Sequence, residues 1–404
     1  MSERTGPLSD VRILDLTQAL AGPYGTALLA DLGADVVKIE PPSGDLSRPM
    51  APLPKDCAPP GSSRSSDCDY SGYFASINRN KRSIVLDLKK EADRAVFLDL
   101  VETADAVVEN SRAGVMDRLG VGYEVLRARN PRLVYAAIRG FGDPRTGKSP
   151  YADWPAFDIV AQCMGGLVGI TGPIDGRGFP SGASVGDIFP GTLAALGVVS
   201  AVHAARRTGQ GQFLDVCMVD AILSLCETVV INHSFTGTVL GPRGSGHPAL
   251  CPFDVYEAKD GAVAIAAPTD NHWAALCAVM ERGDLVSDER TRDNRRRSTN
   301  RAFVTEVVQG WTRARTKREI VAALGGKVPV GPVNTAADIF TDPHVQSRNM
   351  LVEVEMPGAN PKATLVGPPI KFTATPAGIY RRPPLLGEHT EEVLAELRQR
   401  KENP

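Results

Sequence analysis

Apolar and polar positions follow two rhythms along this chain, and the first third shows both in regular succession. Val11 to Leu16 is a short apolar run, Ala21-Gly22-Pro23 makes a turn, a helical pattern leads to Leu32 with Gly33 as its stop, and a second apolar run spans Asp35 to Ile39. Arg82 to Leu88, Ala104 to Val108 and Leu133 to Ile138 repeat the strand theme, with helical stretches at Lys90 to Glu102 and Tyr123 to Arg129. Strands alternating with helices predict a parallel, doubly wound sheet, because right-handed crossovers place the helices on its two faces. The fold class expected is α/β.

Beyond this region the texture changes. Pro41 to Asp69 and Gly140 to Pro155 read as long loops; in a compact domain such length marks a functional loop or a mobile insert. Phe157 to Ile170 is apolar and helical, Gly172 to Gly186 is loop, and Asp187 stands immediately before a small-residue helix running to about Arg207. A strand is expected at Gln212 to Val216 and a helix near Val219 to His233. Gly241 to Gly246 reads as a hinge, leading to a β pair (Asp254 to Glu257, Ala262 to Ala267) and to helices holding Trp273, Trp311 and Arg295-Arg296-Arg297. That arginine run reads as a solvated helix face. Short strands return at Leu351 to Val354 and Ile370 to Phe372, and an amphipathic helix starts at Glu391.

Composition narrows the function classes. With 404 residues, 43% of them hydrophobic, the chain has material for two or three domains at about 150 residues each. Lys and Arg (45) nearly balance Asp and Glu (47), so no basic field draws it to nucleic acid. Met1 to Asp10 lacks an apolar signal region, and the apolar run Gly191 to Ala205 is shorter than the roughly 18 residues of a span; a cytoplasmic chain outside the membrane is expected. Seven cysteines (Cys57, Cys68, Cys163, Cys217, Cys226, Cys251, Cys277) without a C-x-x-C pair read as reduced, and the scattered histidines predict no bound metal.

Three local patterns carry candidate chemistry. The first βα turn followed by Glu40 invites a dinucleotide, yet Ala21-Gly22-Pro23-Tyr24-Gly25 lacks G-x-G-x-x-G, so a pyrophosphate has no close backbone approach. Gly182-Ala183-Ser184-Val185-Gly186 fits the G-x-S-x-G of a serine hydrolase, with Ser184 as nucleophile, but the residues before it read as loop rather than the strand an elbow requires. Asp187 at a helix start meets the helix's positive end and its free N–H groups, and both lower its pKa. Its residues leave two roles open, a helix N-cap or a carboxylate nucleophile for acyl transfer. Arg79, Lys81, Arg82, Lys89, Arg112, Arg118 and Arg139 lie near first-domain strand ends, as phosphate-binding groups or as surface charge.

Several segments together resemble the family III CoA-transferases, which include formyl-CoA and carnitine-CoA transferases and, as a divergent branch, α-methylacyl-CoA racemases. They are Leu14-Asp15-Leu16 with Ala21-Gly22-Pro23, Leu32 to Glu40, Asn80 to Ile84 with Leu86-Asp87, Ala104-Asp105 to Glu109-Asn110, and Asp117 to Gly120. The likeness continues through Asn130 to Leu133, Gly140-Phe141-Gly142, Asp158 to Gly166, Gly186-Asp187, Arg207 to Gln212 and Asp342-Pro343, nearly the whole chain.

The resemblance implies reversible transfer of CoA between an acyl-CoA and a small carboxylic acid through a covalent intermediate on Asp187, with coenzyme A as part of the substrate and no metal. It makes Gly244 and Gly246 part of a mobile glycine loop that excludes water, with His247 beside the acyl group or structural only. Gln18, Ala19, Leu86, Lys89, Asn110 and Arg118 match CoA-contacting positions, and Asp158 either positions the glycine loop or caps a helix. Phe157-Asp158 stands where the racemases carry His-Asp, which removes one of their two bases, and Pro41-Pro42 replaces an Arg of formyl-CoA transferase. Racemase and serine-hydrolase activities are the alternatives, and a dicarboxylate such as succinate is the expected donor acid. The implied architecture is a Rossmann-like large domain from residues 1–220 and 336–404, a smaller α+β domain at 221–335, and an interlocked homodimer.

Overall fold

The computed structural model describes residues 5–53, 71–356 and 362–402; most of the expected Pro41 to Asp69 loop, with Cys57 and Cys68, lies outside them. The chain divides into two units, Met1–Leu167 with Pro180–Thr238 and His344–Pro404, and Val168–Phe179 with Val239–Pro343.

The first unit is built on six strands: β1 (Arg12–Asp15), β2 (Asp35–Glu40), β3 (Arg82–Val85), β4 (Ala106–Glu109), β5 (Val134–Arg139) and β6 (Phe213–Cys217). They form one parallel sheet in the order β3-β2-β1-β4-β5-β6, the doubly wound order. The register sets Leu14 of β1 beside Val37 of β2 and Val107 of β4. Strands β1 to β5 are buried on both faces, so they do not alternate between a core side and a wet side, while β6 at the edge is mostly half-buried. On one face Leu14, Val37, Ile84 and Val107 pack with Phe97, Leu100 and Leu126, and the C-terminal helix Thr390–Glu402 adds Val393 and Leu397. On the other, Ile13 meets Leu29, Val198 and Val202 from helices Ala21–Asp31 and Val185–Thr208.

Those two helices cross with almost nothing between them. A Cβ on Gly25 would lie 2.4 Å from the Gly191 carbonyl oxygen, and one on Gly191 would lie 2.3 Å from that of Ala21. Glycine is required at both positions, because the contact is backbone against backbone.

Several expectations change. Helix Val185–Thr208 begins two residues before Asp187, which therefore sits in its first turn, not ahead of it. By length and mean hydropathy (1.6) this helix suffices to cross a bilayer, because Val185, Ile188 and Phe189 add apolar residues ahead of the Gly191 to Ala205 run; Ala194, Val198, Ala201 and Ala205 are buried inside the protein. The helix expected near Val219 to His233 is two, Met218–Leu225 and Glu227–Thr236, bent by 64°. The Phe157 to Ile170 stretch splits into Asp158–Met164 and Leu167–Ile170 at Gly165-Gly166. Ile370 to Phe372 is not a strand: Pro368-Pro369 just before it offer no N–H to a ladder. The hairpin is instead β10 (Leu351–Glu355) with β11 (Lys362–Val366), after the strands of the second unit.

In that second unit β7 (Phe253–Ala258), β8 (Gly261–Ala266) and β9 (Val330–Pro332) form an antiparallel sheet. It packs Tyr256, Val263 and Ile265 against Trp273, Leu276, Val304, Val308 and Ile320 of its helices. Arg297 is not on a solvated face. It is fully buried, donating to the carbonyls of Cys251, Thr291 and Pro268 and to Asp270, so the arginine run contributes one core cation that organises three loops.

The glycine crossing leaves no room for a side chain. Gly191→Val is expected to destabilise the protein by roughly 1–3 kcal/mol, seen as a lower urea midpoint with an unchanged slope.

Candidate active site

In an open parallel sheet the chain leaves β1 and β4 in opposite directions, opening a crevice at their carboxyl ends. The residues after those two strands meet there. Gln18 N–H donates to Asn110 Oδ1 at 2.8 Å, and Asn110 Nδ2 donates back to the Gln18 carbonyl at 2.8 Å. A cleft of about 430 Å³ opens over this pair, lined also by Ala19, Arg112, Trp154 and Asp187. It is of a size to take part of a small-molecule ligand.

Asp187 lines the same cleft from the first turn of Val185–Thr208 and is half-buried. The start of this helix is held by Asp158, whose Oδ1 accepts from Gly186 N–H at 2.7 Å while Gln162 Nε2 donates to the same carboxylate at 3.0 and 2.9 Å. Asp158 thus caps the helix of Asp187; its own helix, Asp158–Met164, has Phe157 at the N-cap and no side-chain cap. The N–H groups of Asp187 and Ile188 both reach the Ser184 carbonyl. With Gly186 committed to Asp158, the first-turn N–H groups of this helix are all engaged within the protein.

Among the described residues, the Asp187 carboxylate accepts no hydrogen bond. Burial first, and then the charge of Asp158, push its pKa up to about 7. This reverses the lowering expected from the helix start. A helix end is worth about 0.3–1 kcal/mol, less than one pKa unit, and does not outweigh desolvation beside a like charge. The same two carboxylates, with Asp45 and burial as the leading cause, raise the pKa of half-buried Tyr73, which is therefore a neutral hydroxyl in their field.

The other expected positions fall in different places. Leu86 is in the sheet core, and Lys89 and Arg118 are exposed on the first unit away from the residues lining the cleft. Gly244 and Gly246 belong to the second unit. Gly244 has φ +68°, and a Cβ on Gly246 would lie 2.9 Å from Asp254 Oδ2; Ser245 Oγ donates to Asp254 at 2.5 Å and Arg301 donates to the His247 carbonyl at 2.8 Å. Ser184 is the N-cap residue of its helix, preceded by turns and coil, so G-x-S-x-G forms no elbow here.

The cations near strand ends are mostly structural. Arg79 pairs with Asp31 at 2.6 Å, Lys81 with Asp15 at 2.9 Å, Arg82 with Asp35 at 2.7 Å and Arg139 with Glu109 at 2.5 Å. Glu40, the residue that invited a ribose, is buried in an ion pair with Arg48 at 2.6 Å. Arg112 is exposed on the cleft and, among the described residues, makes no ion pair. Sequence reasoning missed Trp154 and Tyr73. No short motif marks either, although Trp154 is an aromatic in the second long loop, where tertiary contacts with Phe141 and Tyr151 place it.

A doubly wound sheet with a cleft at its switch point, lined by a carboxylate and by polar side chains, is the architecture of an α/β protein that binds a small molecule there. Residues 8–390 match CoA-transferase family III, and the chain belongs to that family. It is 48% identical to a succinyl-CoA:mesaconate CoA-transferase of Haloarcula hispanica, over 97% of this chain and 96% of that protein. It is 36% identical to a succinate–glutarate CoA-transferase of Agrobacterium fabrum, over 98% and 97%. Among solved structures, a CaiB/BaiF family protein from Brucella suis superposes with TM-score 0.84 at 32% identity, covering 97% of this chain and 100% of that one. The protein is a family III CoA-transferase, an enzyme that acts on CoA thioesters and carboxylic acids.

The raised Asp187 pKa has a sign in stability. An acid whose pKa is higher folded than unfolded favours the fold at low pH, and this contribution is lost as pH climbs from about 4 through about 7. Asp187→Asn is expected to raise Tm by roughly 2–4 °C at pH 8 and to change it little at pH 4, measured by calorimetry.

Proposed function

We propose that this enzyme moves CoA from a dicarboxylic acyl-CoA to a second carboxylic acid by covalent catalysis on Asp187. The observation that carries the reading is the Asp187 carboxylate itself, half-buried on the cleft wall and without a hydrogen-bond partner among the described residues, while Asp15, Asp31, Asp45 and Asp158 are all engaged. A carboxylate that only supports structure is expected to be paired; a nucleophile needs a free oxygen.

The cycle balances without an external cofactor. An Asp187 oxygen bonds to the thioester carbonyl carbon, the C–S bond breaks, and CoA thiolate leaves with the electron pair, giving a mixed anhydride. The thiolate then bonds to the Asp187 carboxyl carbon, the anhydride C–O bond breaks, and the donor acid leaves as carboxylate. The acceptor carboxylate repeats both steps in reverse. A free thiol has a pKa of roughly 8.5, so thiolate is a competent leaving group and carboxylate a sufficient nucleophile. Gln18 donates to the oxyanion of each addition, and Lys89 and Arg118 receive the nucleotide phosphates.

The naming of two relatives for succinyl-CoA or succinate supports succinyl-CoA as donor, with a four- or five-carbon dicarboxylate such as mesaconate as acceptor. The uncommitted Arg112 supplies a cation on the cleft. The active form is a homodimer of interlocked chains. Leu196, Leu223, Leu225, Val230, Ile231 and Phe235 leave large apolar side chains exposed on three consecutive helices, the kind of surface a permanent partner covers.

Incubation with succinyl-CoA followed by peptide mass spectrometry is expected to find CoA on the peptide holding Asp187. Asp187→Ala should lower transfer by at least about 10³-fold while CoA still binds, and wild-type kcat/KM should rise with pH through about 7 as the free carboxylate ionises. Transfer at wild-type rate by Asp187→Ala would exclude the mechanism.

A further inference from the structure

The turn that brings Gln18 to the cleft is an unfavourable one for its sequence. Ala19 has φ +65°, in the left-handed region that side chains other than glycine's avoid. Something must hold it, and three consecutive residues are held by side chains: the buried Asp15, Lys38 and Asp45 and the half-buried Asn110. Thr17 N–H donates to Asp15 Oδ1 at 2.9 Å, and the Thr17 carbonyl accepts from Lys38 Nζ at 2.8 Å. Gln18 is pinned by Asn110 on both its N–H and its carbonyl, and Ala19 N–H donates to Asp45 Oδ1 at 3.1 Å.

Two of these anchors, Lys38 and Asp45, are themselves a pair. Lys38 Nζ stands 2.7 Å from Asp45 Oδ2 in an ion pair, and both side chains are 0% exposed. Lys38 projects from β2. Asp45 comes from the segment after β2, the described beginning of the Pro41 to Asp69 loop, where Ser47 N–H and Oγ fix the same Oδ1 at 2.8 and 2.7 Å and Glu40 accepts from Asp45 N–H at 2.9 Å. A buried ion pair is weak ground for stability, since desolvation consumes most of its attraction. Its geometry instead grips the peptide units on either side of Gln18.

We propose that the buried Lys38–Asp45 pair is a positioning device for acyl transfer: it locks Thr17 to Ala19 in the left-handed turn that presents Gln18 to the cleft. The two residues act through Gln18 and touch no substrate. This rests on reading the cleft as the thioester site, but the clamp has a substrate-free signature. Its consequence for the loop after β2 is a specific function: the loop returns Asp45 beneath the turn it must hold.

The test compares wild type, Asp45→Asn and Asp45→Asn/Ala19→Gly. Asp45→Asn keeps an acceptor for Ala19 N–H but removes the charge that draws Lys38. Hydrogen–deuterium exchange without substrate is expected to speed at least fivefold in the Thr17 to Ala19 peptide and to stay unchanged in β1 and β4. In succinyl-CoA turnover, kcat per folded enzyme is expected to fall about tenfold with KM changed less than threefold, and Ala19→Gly, which accepts positive φ freely, is expected to recover at least threefold of that loss. If Asp45→Asn does not fold, the neutral pair Lys38→Met/Asp45→Asn, which leaves no orphaned ammonium, takes the same measurements. Unchanged exchange at Thr17 to Ala19, or faster exchange spread evenly over the sheet, overturns the proposal, as does full kcat per folded enzyme. Unchanged turnover in Asp187→Ala would instead sink the mechanism and leave the exchange result standing.

Discussion

Two backbones touch at Gly25 and Gly191, and the active site depends on that contact. Gly191 lies one helical turn after Asp187, and Ala21 lies two residues after Ala19. The helix that begins with the carboxylate and the helix that follows the Gln18 turn are therefore tied at the ends nearest the cleft. A larger residue at either glycine separates the two walls, and under the covalent cycle proposed above, in which Asp187 reaches a carbonyl carbon, a small separation is costly.

Charge is buried around the cleft to an unusual extent, and its arrangement is orderly. Asp15 with Lys81, Asp45 with Lys38, and Glu109 with Arg139 each stand directly below a loop that leaves the carboxyl end of a strand. Each also takes a backbone group of that loop: Thr17 N–H, Ala19 N–H, and, at 2.6 Å, Ser111 N–H on Glu109. Apolar residues cannot satisfy loop N–H groups inside a protein, and an unsatisfied one costs about 1–3 kcal/mol. The ions belong where a loop must stay buried and fixed in one conformation.

Asp187 is the exception in this pattern. Asp158 spends its hydrogen-bonding capacity on Gly186 and Gln162, which braces the helix, yet its charge falls on Asp187 and raises the pKa there. One residue braces the helix of Asp187 mechanically and opposes the ionisation of its carboxyl group. A carboxylate whose ionised form is disfavoured is a more basic and better nucleophile once it has ionised, provided the working pH lies near its pKa.

The parallel sheet, the helices between its strands and the membership in a CoA-transferase family were legible in the order of apolar runs and in segments such as Leu32 to Glu40, because both depend on local periodicity and contiguous residues. Asp187 too was legible as a candidate, from its place between a glycine loop and a small-residue helix. The sequence could not show that Arg79, Lys81, Arg82 and Arg139 face carboxylates rather than phosphates, that Arg297 is a core cation, or that Leu86 packs inward. Those assignments depend on which distant residues the fold brings within about 3 Å. The direction of the Asp187 pKa belongs to the same class: the helix start is local and reads as a lowering, whereas burial and Asp158, 29 positions away in the chain, exist only once the tertiary structure has closed around the cleft.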